Sequence, residues 1–149
     1  MFITKEISIK TKKPFDIIDI TDLVSQFVKE NKLEIGLLNV FTRHTTAILK
    51  INEVENGFWK DMENRCQKNI SINEFYHHND LENRDPKTMC ANKQECLNGH
   101  SHIRAMLFGV SSETIPVKNN ELMLGTRKRI VFIEMDHARD RKIILSFVG

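Results

Sequence analysis

The chain has 149 residues, enough for one domain with a single substantial core and too few for two ordinary ones. Its 22 basic and 20 acidic residues leave a formal charge of +2 without a basic run, which argues against a dedicated nucleic-acid binder and a polybasic membrane patch. No stretch approaches the roughly 20 apolar residues of a spanning helix and the first six residues lack an apolar signal core, so the expectation is a soluble cytoplasmic protein whose odd number of cysteines are free thiols or ligands.

In chain order, Phe2 to Ile9 predicts a strand. Ile20, Leu23, Val24, Phe27 and Val28 recur at helical spacing after Thr21, a residue suited to capping. Leu33 to Thr42 is aliphatic on both faces and predicts a covered central strand; beyond a corner at His44, the β-branched run from Thr45 to Ile51 predicts another. Val54, Phe58, Met62 and Cys66 fall four apart, a stripe that predicts a helix with Cys66 in the core and Glu55, Lys60 and Glu63 in solvent. Periodicity is lost from Ser71 to Asn98, which reads as a functional loop. Ile103 to Leu107 predicts a short helix ended by a left-handed Gly109. Thr114–Val117, Glu121–Leu124, Arg129–Met135 and Lys142–Val148 read as strands, with turns at Lys118-Asn119-Asn120 and His137-Ala138-Arg139-Asp140. The expectation is a single α+β domain over residues 1–149, with a mixed or antiparallel sheet and two or three helices.

The chemistry concentrates between Phe75 and His102, which hold four of the six histidines and two of the three cysteines. Imidazole, thiolate and carboxylate are the groups that bind transition metals or move protons near neutral pH. His77 and His78, being adjacent, face opposite sides of an extended chain, so one of them points away. In an extended segment His100 and His102 share a face and can chelate one ion; a helix that starts before His100 removes that geometry. Cys90, Cys96 and His100 can form a soft metal site, or the two cysteines a loop-closing disulfide; their spacing is not a common zinc-finger one. A divalent ion held by thiolate and imidazole would be zinc rather than magnesium, whereas His with Asp or Glu suits manganese, iron or nickel.

Outside this window, His44 reads as an acid, base or metal ligand, or as a hydrogen-bonded structural residue. Asn52 and Glu53 precede a helix, where capping and catalysis are both open. Glu134, Asp136, Arg139 and Arg141 flank one turn, as a salt-bridged hairpin or as a phosphate site in which Arg139 or Arg141 offers bidentate donors.

The ordered series His44-Thr45-Thr46-Ala47, Ile51-Asn52-Glu53, Asp61-Met62-Glu63, Tyr76 to His78, Gly99 to Ile103, Gly109 with Ser111, Ile115-Pro116-Val117, Leu124-Gly125-Thr126, and Glu134 with Arg139 and Arg141 resembles the YjbQ, or UPF0047, family over nearly the whole chain. The stretch from His78-Asn79-Asp80-Leu81 through Cys90 and Cys96 to His102 resembles a subgroup with a longer central loop. The resemblance implies an α+β homotrimer with sites near subunit boundaries, in which His44 opens the main motif and His78 and His102 match two later histidines. It also implies a secondary thiamine-phosphate synthase activity, which joins a pyrimidine diphosphate to a thiazole phosphate and releases diphosphate. For that chemistry the expected catalytic set is His44, Asn52, Glu53, His78 and Glu134. Positive charge for the leaving group comes from Arg127, Lys128, Arg139, Arg141 or a divalent ion on His78, His100, His102, Cys90 or Cys96. The chain departs from the family in having Arg127-Lys128 where most members have Trp-Gln, and Val54 to Lys60 in place of an Asp-Pro pair. It has no Gly-rich phosphate loop. Two further readings are a metal-dependent hydrolase and a non-catalytic trimeric protein that binds a metal or small ligand.

Overall fold

Alternation of apolar and polar residues along the strands builds two antiparallel sheets. The computed structural model describes residues 1–149. Its elements are β1 (Phe2–Lys10), β2 (Ile17–Asp19), α1 (Thr21–Glu30), β3 (Ile35–Thr42), β4 (Ala47–Asn52), α2 (Asn56–Asn69), α3 (Gly99–Phe108), β5 (Ser112–Lys118), β6 (Glu121–Leu122), β7 (Arg129–Glu134) and β8 (Asp140–Val148). The larger sheet runs β1-β8-β3-β5-β6 and the smaller β2-β7-β4. This is the α+β domain read from the sequence, with three α-helices.

One core lies between the sheets. Ile143, Leu145 and Phe147 of β8, Leu38 and Val40 of β3, and Ile115 and Val117 of β5 meet Ala47 and Leu49 of β4 and Ile130 and Phe132 of β7, with Val24, Phe27 and Val28 of α1 completing the cluster. The alternate residues of the smaller sheet, Ile48, Val131 and Ile133, point the other way and pack with Trp59 and Cys66 of α2 and Ala105 of α3. Covered on both faces, β7 is a continuous apolar run rather than an alternating one. Cys66 is fully buried, as its place in the helical stripe predicts.

Several local expectations need correction. β3 is central in the sheet, but one face is open: Ile35 and Leu37 are 72% and 52% exposed. Thr21 does not cap α1; its hydroxyl accepts from the Ile130 amide, while Asp19 Oδ1 accepts from the Thr21 amide. At α2 the cap is Glu55, whose two carboxylate oxygens each accept at 2.7 Å, from the Gly57 and Phe58 amides, so neither Asn52 nor Glu53 serves and Val54 lies outside the helix. Gly109 is extended, at φ −150° and ψ −170°, not left-handed. Its lack of a side chain answers a contact instead: a Cβ there would lie 2.3 Å from Ile48 Cδ1.

The polar segment between α2 and α3 contains three short 3₁₀ turns, at His77–Asn79, Pro86–Thr88 and Lys93–Cys96. Side chains anchor it at its ends. The buried Arg104 of α3 donates twice to the Ile70 carbonyl at the end of α2, the Tyr76 hydroxyl donates to the Ser71 carbonyl, and Asn79 Oδ1 accepts from the Gly99 amide at 2.8 Å. Gly99 cannot be larger, because a Cβ there would lie 2.7 Å from Tyr76 Cβ. Substituting Gly109 by Ala should cost about 1–3 kcal/mol through overpacking against β4. Urea denaturation measures it, and an unchanged midpoint would remove Ile48 as the reason for glycine.

Candidate functional site

His78 is held by a chain of hydrogen bonds that starts at a buried carboxylate. Asp136, just past β7, is 4% exposed; its Oδ2 accepts from Arg139 Nε and Nη2 at 3.1 and 2.9 Å and from Asn98 Nδ2 at 2.8 Å. Because a carboxylate takes only donors, Asn98 must present its amide nitrogen to Asp136 and its Oδ1 to His78 Nε2, 3.2 Å away. His78 Nε2 thus faces two groups at once, Asn98 Oδ1, which only accepts, and Arg84 Nη1, 3.1 Å away, which only donates; the two favour opposite tautomers, and what they share is the orientation of the ring. Arg84 braces the same residue by donating to the His78 carbonyl at 3.1 Å. The His102 ring lies beside it, centroid to centroid 4.4 Å.

His102 also lines a cleft of about 470 Å³ that runs between α3, the His44 corner and the segment Gly109–Ser111. Arg43 and His44 form its polar wall and Met106 and Val110 its apolar one. His44 Nε2 accepts from the Lys142 amide at 2.9 Å, so its neutral ring carries the proton on Nδ1. Burial, then Arg141, holds its pKa below 6.5 against the opposing pull of Glu134. His78 is lowered by burial and Arg84, and His102 by burial and His78. These three imidazoles are therefore neutral near pH 7.

Glu134 and Arg141 are not free for chemistry. Glu134 is fully buried and forms a two-pronged ion pair with Arg141, Nε to Oε2 at 2.7 Å and Nη2 to Oε1, and it also accepts from the Thr11 hydroxyl and the Asp136 amide. The remaining bond from Arg141 Nη2 goes to Thr46 Oγ1 at 2.9 Å. The salt-bridged reading holds for this pair, which lies inside the protein rather than on a surface hairpin. Arg139 is spent on Asp136 and on Glu95, 2.8 Å from its Nη1.

The other expected residues lie elsewhere. Asn52 pairs with Arg129 across β4 and β7, whereas Ala47, beside the His44 corner, pairs with Glu134. Asn52 and Glu53 are thus some five residues, about 17 Å, along the strand from the histidines. Arg127, 3.9 Å from Glu53, shares that far end with Lys128, whose amide bonds to Gly125. His100 and His102 lie on α3, which begins at Gly99, so two residues of helix set them on different sides and the shared chelate is lost. His100 turns inward, 6% exposed, with Nε2 against Ser101 Oγ and Nδ1 unpartnered. Cys90 and Cys96 are free thiols that lie together, the Cys90 amide donating to Cys96 Sγ at 2.8 Å. No three His, Cys, Asp or Glu side chains of one chain converge as a metal-binding group. The sequence reading left Asn98, Arg84 and Arg43 out of the site and took Asp136 only as part of a turn. The single signal was Asn98 beside Gly99, where a helix start could be read.

A two-sheet α+β domain with a neutral-histidine cleft at one end of its small sheet defines the class of protein. Residues 5–149 match the family model described as UPF0047 protein YjbQ-like, and the chain belongs to that family. It is 35% identical over 146 residues to a UPF0047 protein of Methanothermobacter thermautotrophicus, covering 98% of this chain and 92% of that one. It is 31% identical to the UPF0047 protein YugU of Bacillus subtilis, covering 97% and 98%. Among solved structures it is similar to a YbjQ-like protein of unknown function from Sulfolobus solfataricus, with TM-score 0.84, 26% identity and 100% and 98% coverage. It is also similar to an uncharacterised conserved YjbQ/UPF0047-family protein from Clostridium acetobutylicum, with TM-score 0.80, 34% identity and 97% and 99% coverage.

Glu134→Gln should destabilise the protein by about 3–5 kcal/mol, because the Arg141 charge stays buried without its partner. A Glu134→Leu, Arg141→Met double variant should lose much less than the sum of its single changes by denaturant unfolding; additive losses would mean the ion pair is not coupled. For pH, the unfolded histidines bind protons at about 6.5 and the folded His44, His78, His100 and His102 only lower. Their contribution to stability is therefore complete above 6.5 and lost as pH falls through the lower folded values. The thermal midpoint should drop between pH of about 7 and 5, less steeply in His100→Gln. An identical slope in that variant would show that His100 does not contribute.

Proposed function

We propose that the cleft lined by His44 and His102 takes a small phosphorylated ligand and that His78, whose ring lies 4.4 Å from His102, acts beside it as general base. The observation that carries this is the Asp136–Asn98–His78 chain, which holds the ring in one orientation as a base needs. A buried carboxylate orienting a neutral imidazole through an amide is a costly arrangement for a surface loop, and it is paired with a second neutral imidazole, His102. By family resemblance the reaction is a weak thiamine-phosphate synthase type, in which Arg43 at the cleft wall faces the phosphate groups. Proton removal at the thiazole partner falls to His78.

The remaining members of the expected set join through assembly. On the outer face of the large sheet Phe2, Val148, Leu37 and Pro116 stand in one row across β1, β8, β3 and β5, and the first three are 68%, 58% and 52% exposed. An open apolar row of this kind supports a homotrimer. A neighbouring copy can then bring its Asn52, Glu53, Arg127 and Lys128 to this cleft. The chain has no helix long and apolar enough to cross a membrane, in keeping with a cytoplasmic enzyme.

A metal-dependent hydrolase is the second reading, favoured by the 4.4 Å spacing of two neutral imidazoles. His78 and His102 are two ligands where a catalytic zinc takes three from protein, and one chain supplies no third beside them. The donor set of a single chain does not fit a resident metal, and no step is assigned to one.

With the two thiamine precursors as substrates, His78→Ala should lose about 10²- to 10⁴-fold in turnover. Asn98→Ala should lose less and shift the pH profile downward, since the base remains but loses the bond that orients it and favours its protonated form. Retained turnover in both His78→Ala and His102→Ala sinks the assignment. Elemental analysis of untagged protein tests the second reading: stoichiometric metal that disappears in both variants would favour the hydrolase.

A further inference from the structure

Both partners of His78 Nε2 come from the same loop. Arg84 lies six residues beyond His78, with Nη1 3.1 Å from Nε2, and Asn98 lies twenty beyond it. Arg84 also grips Thr88, with Nε 3.0 Å from Thr88 Oγ1 and Nη2 on the Thr88 carbonyl. Cys90 follows Thr88 by two residues and Cys96 precedes Asn98 by two. The same stretch carries Glu95, which holds Arg139 and through it Asp136. The two cysteines thus sit where the Arg84 arm and the Asn98 arm of the loop meet.

Their geometry is that of a pair ready to join. The Cys90 amide nitrogen is 2.8 Å from Cys96 Sγ, and Cys90 Sγ is only three bonds from that nitrogen. The two thiols also hydrogen-bond to each other, so the sulfurs already face one another. Cys96 is fully buried, whereas Cys90 is exposed to an oxidant. The hydrogen bond from the Cys90 thiol, with Arg84 acting the same way, holds the Cys96 thiol below its ordinary value and raises Cys90. Cys66 is the internal contrast: burial pushes its thiol up to about 11, and it lies on α2 in an apolar cluster that holds no other cysteine. No third ligand stands with the two thiols to make a metal the simpler occupant.

We propose that Cys90 and Cys96 are a reversible dithiol–disulfide couple that fastens the loop holding His78. With a small disulfide such as oxidised glutathione as oxidant, Cys90 sulfur attacks one of its sulfurs and forms a mixed disulfide, releasing one glutathione thiolate. Cys96 sulfur then attacks Cys90 Sγ, the Cys90–Cys96 bond forms, and the second glutathione leaves as thiolate. Two protein thiols are oxidised, the glutathione disulfide is reduced to two thiols, and the two cysteine protons pass to solvent and the leaving thiolates. The pair links residues only six apart, so oxidation ties the Thr88 end of the loop to the Asn98 end. The consequence for activity rests on the reading of His78 as the working base; the couple itself does not.

The test equilibrates the whole protein in glutathione buffers from reducing to oxidising, then counts thiols, maps peptides by mass, and follows amide hydrogen exchange. The expected result is loss of two of three thiols, a linked Cys90–Cys96 peptide with Cys66 still reduced, and slower exchange across residues 84–98. Excess dithiothreitol should reverse all of it. In Cys90→Ser, a change at an exposed position, neither the link nor the slowed exchange should appear. A glutathione adduct stable on Cys90 with Cys96 free, three thiols surviving the oxidising buffer, or exchange unchanged on linkage would each overturn the proposal. None of these readouts uses turnover, so a missing synthase activity leaves them interpretable. If turnover is present but equal in the two redox states, the couple stands and its control of His78 does not.

Discussion

The buried ion pair between Glu134 and Arg141 is the constraint on which the rest of the structure depends. Glu134 ends β7 of the small sheet and Arg141 begins β8 of the large one, so the pair is a bolt between sheets. Its further bonds recruit Thr11 after β1, Thr46 before β4 and the amide of Asp136. Taking two charges out of water is expensive, and well-packed apolar side chains would hold two sheets together at least as firmly. What the pair supplies is geometry. It places the His44 corner on one side and Asp136 on the other, and these are the two roots of the histidine cleft.

From Asp136 outward each group is oriented by the one before it. The carboxylate stays ionised although burial opposes its charge, because Asn98, the His137 amide and Arg139 all donate to it. That charge decides which end of the Asn98 amide faces His78, and the amide with Arg84 holds the ring by its Nε2 edge. The Asn98 bond itself favours the protonated ring, but burial and then the Arg84 guanidinium outweigh it and keep His78 less basic than an ordinary histidine.

Much of the scaffold was legible in the sequence, and the failures have physical causes. Strand alternation and the α2 stripe found the large elements because burial on one face leaves a period. β2 escaped because three residues are too few to show one. His100 and His102 form a chelating pair only if Gly99 is loop; the hydrogen bond from the Gly99 amide to Asn79 Oδ1 lets α3 start there and turns His100 inward. The motif residues of the site were legible by resemblance, but their roles were not. Glu134 and Arg141 carry charges that suggest chemistry, and only the fold shows them buried and bound to each other. Asn98 has no charge and sits in an aperiodic stretch, so nothing in its spacing marks it as the group that orients His78.

Electrostatically, the cleft is a set of neutral bases among arginines. His44 is depressed by Arg141, Arg43 and Arg139, and His78 by Arg84, yet most of these guanidiniums already have carboxylate, carbonyl or hydroxyl partners. Among them Arg43 combines a place on the cleft wall with only one exposed partner, Glu6, at 3.0 Å. An exposed ion pair is weak, so an incoming phosphate can take Arg43 from Glu6 at little cost. An anion there would also oppose the arginine field at His44, raising its affinity for a proton just as the ligand arrives. On the proposed function, ligand binding and proton uptake would then be coupled at this wall of the cleft, while His78, oriented by Asn98 beside His102, would act as a separate base.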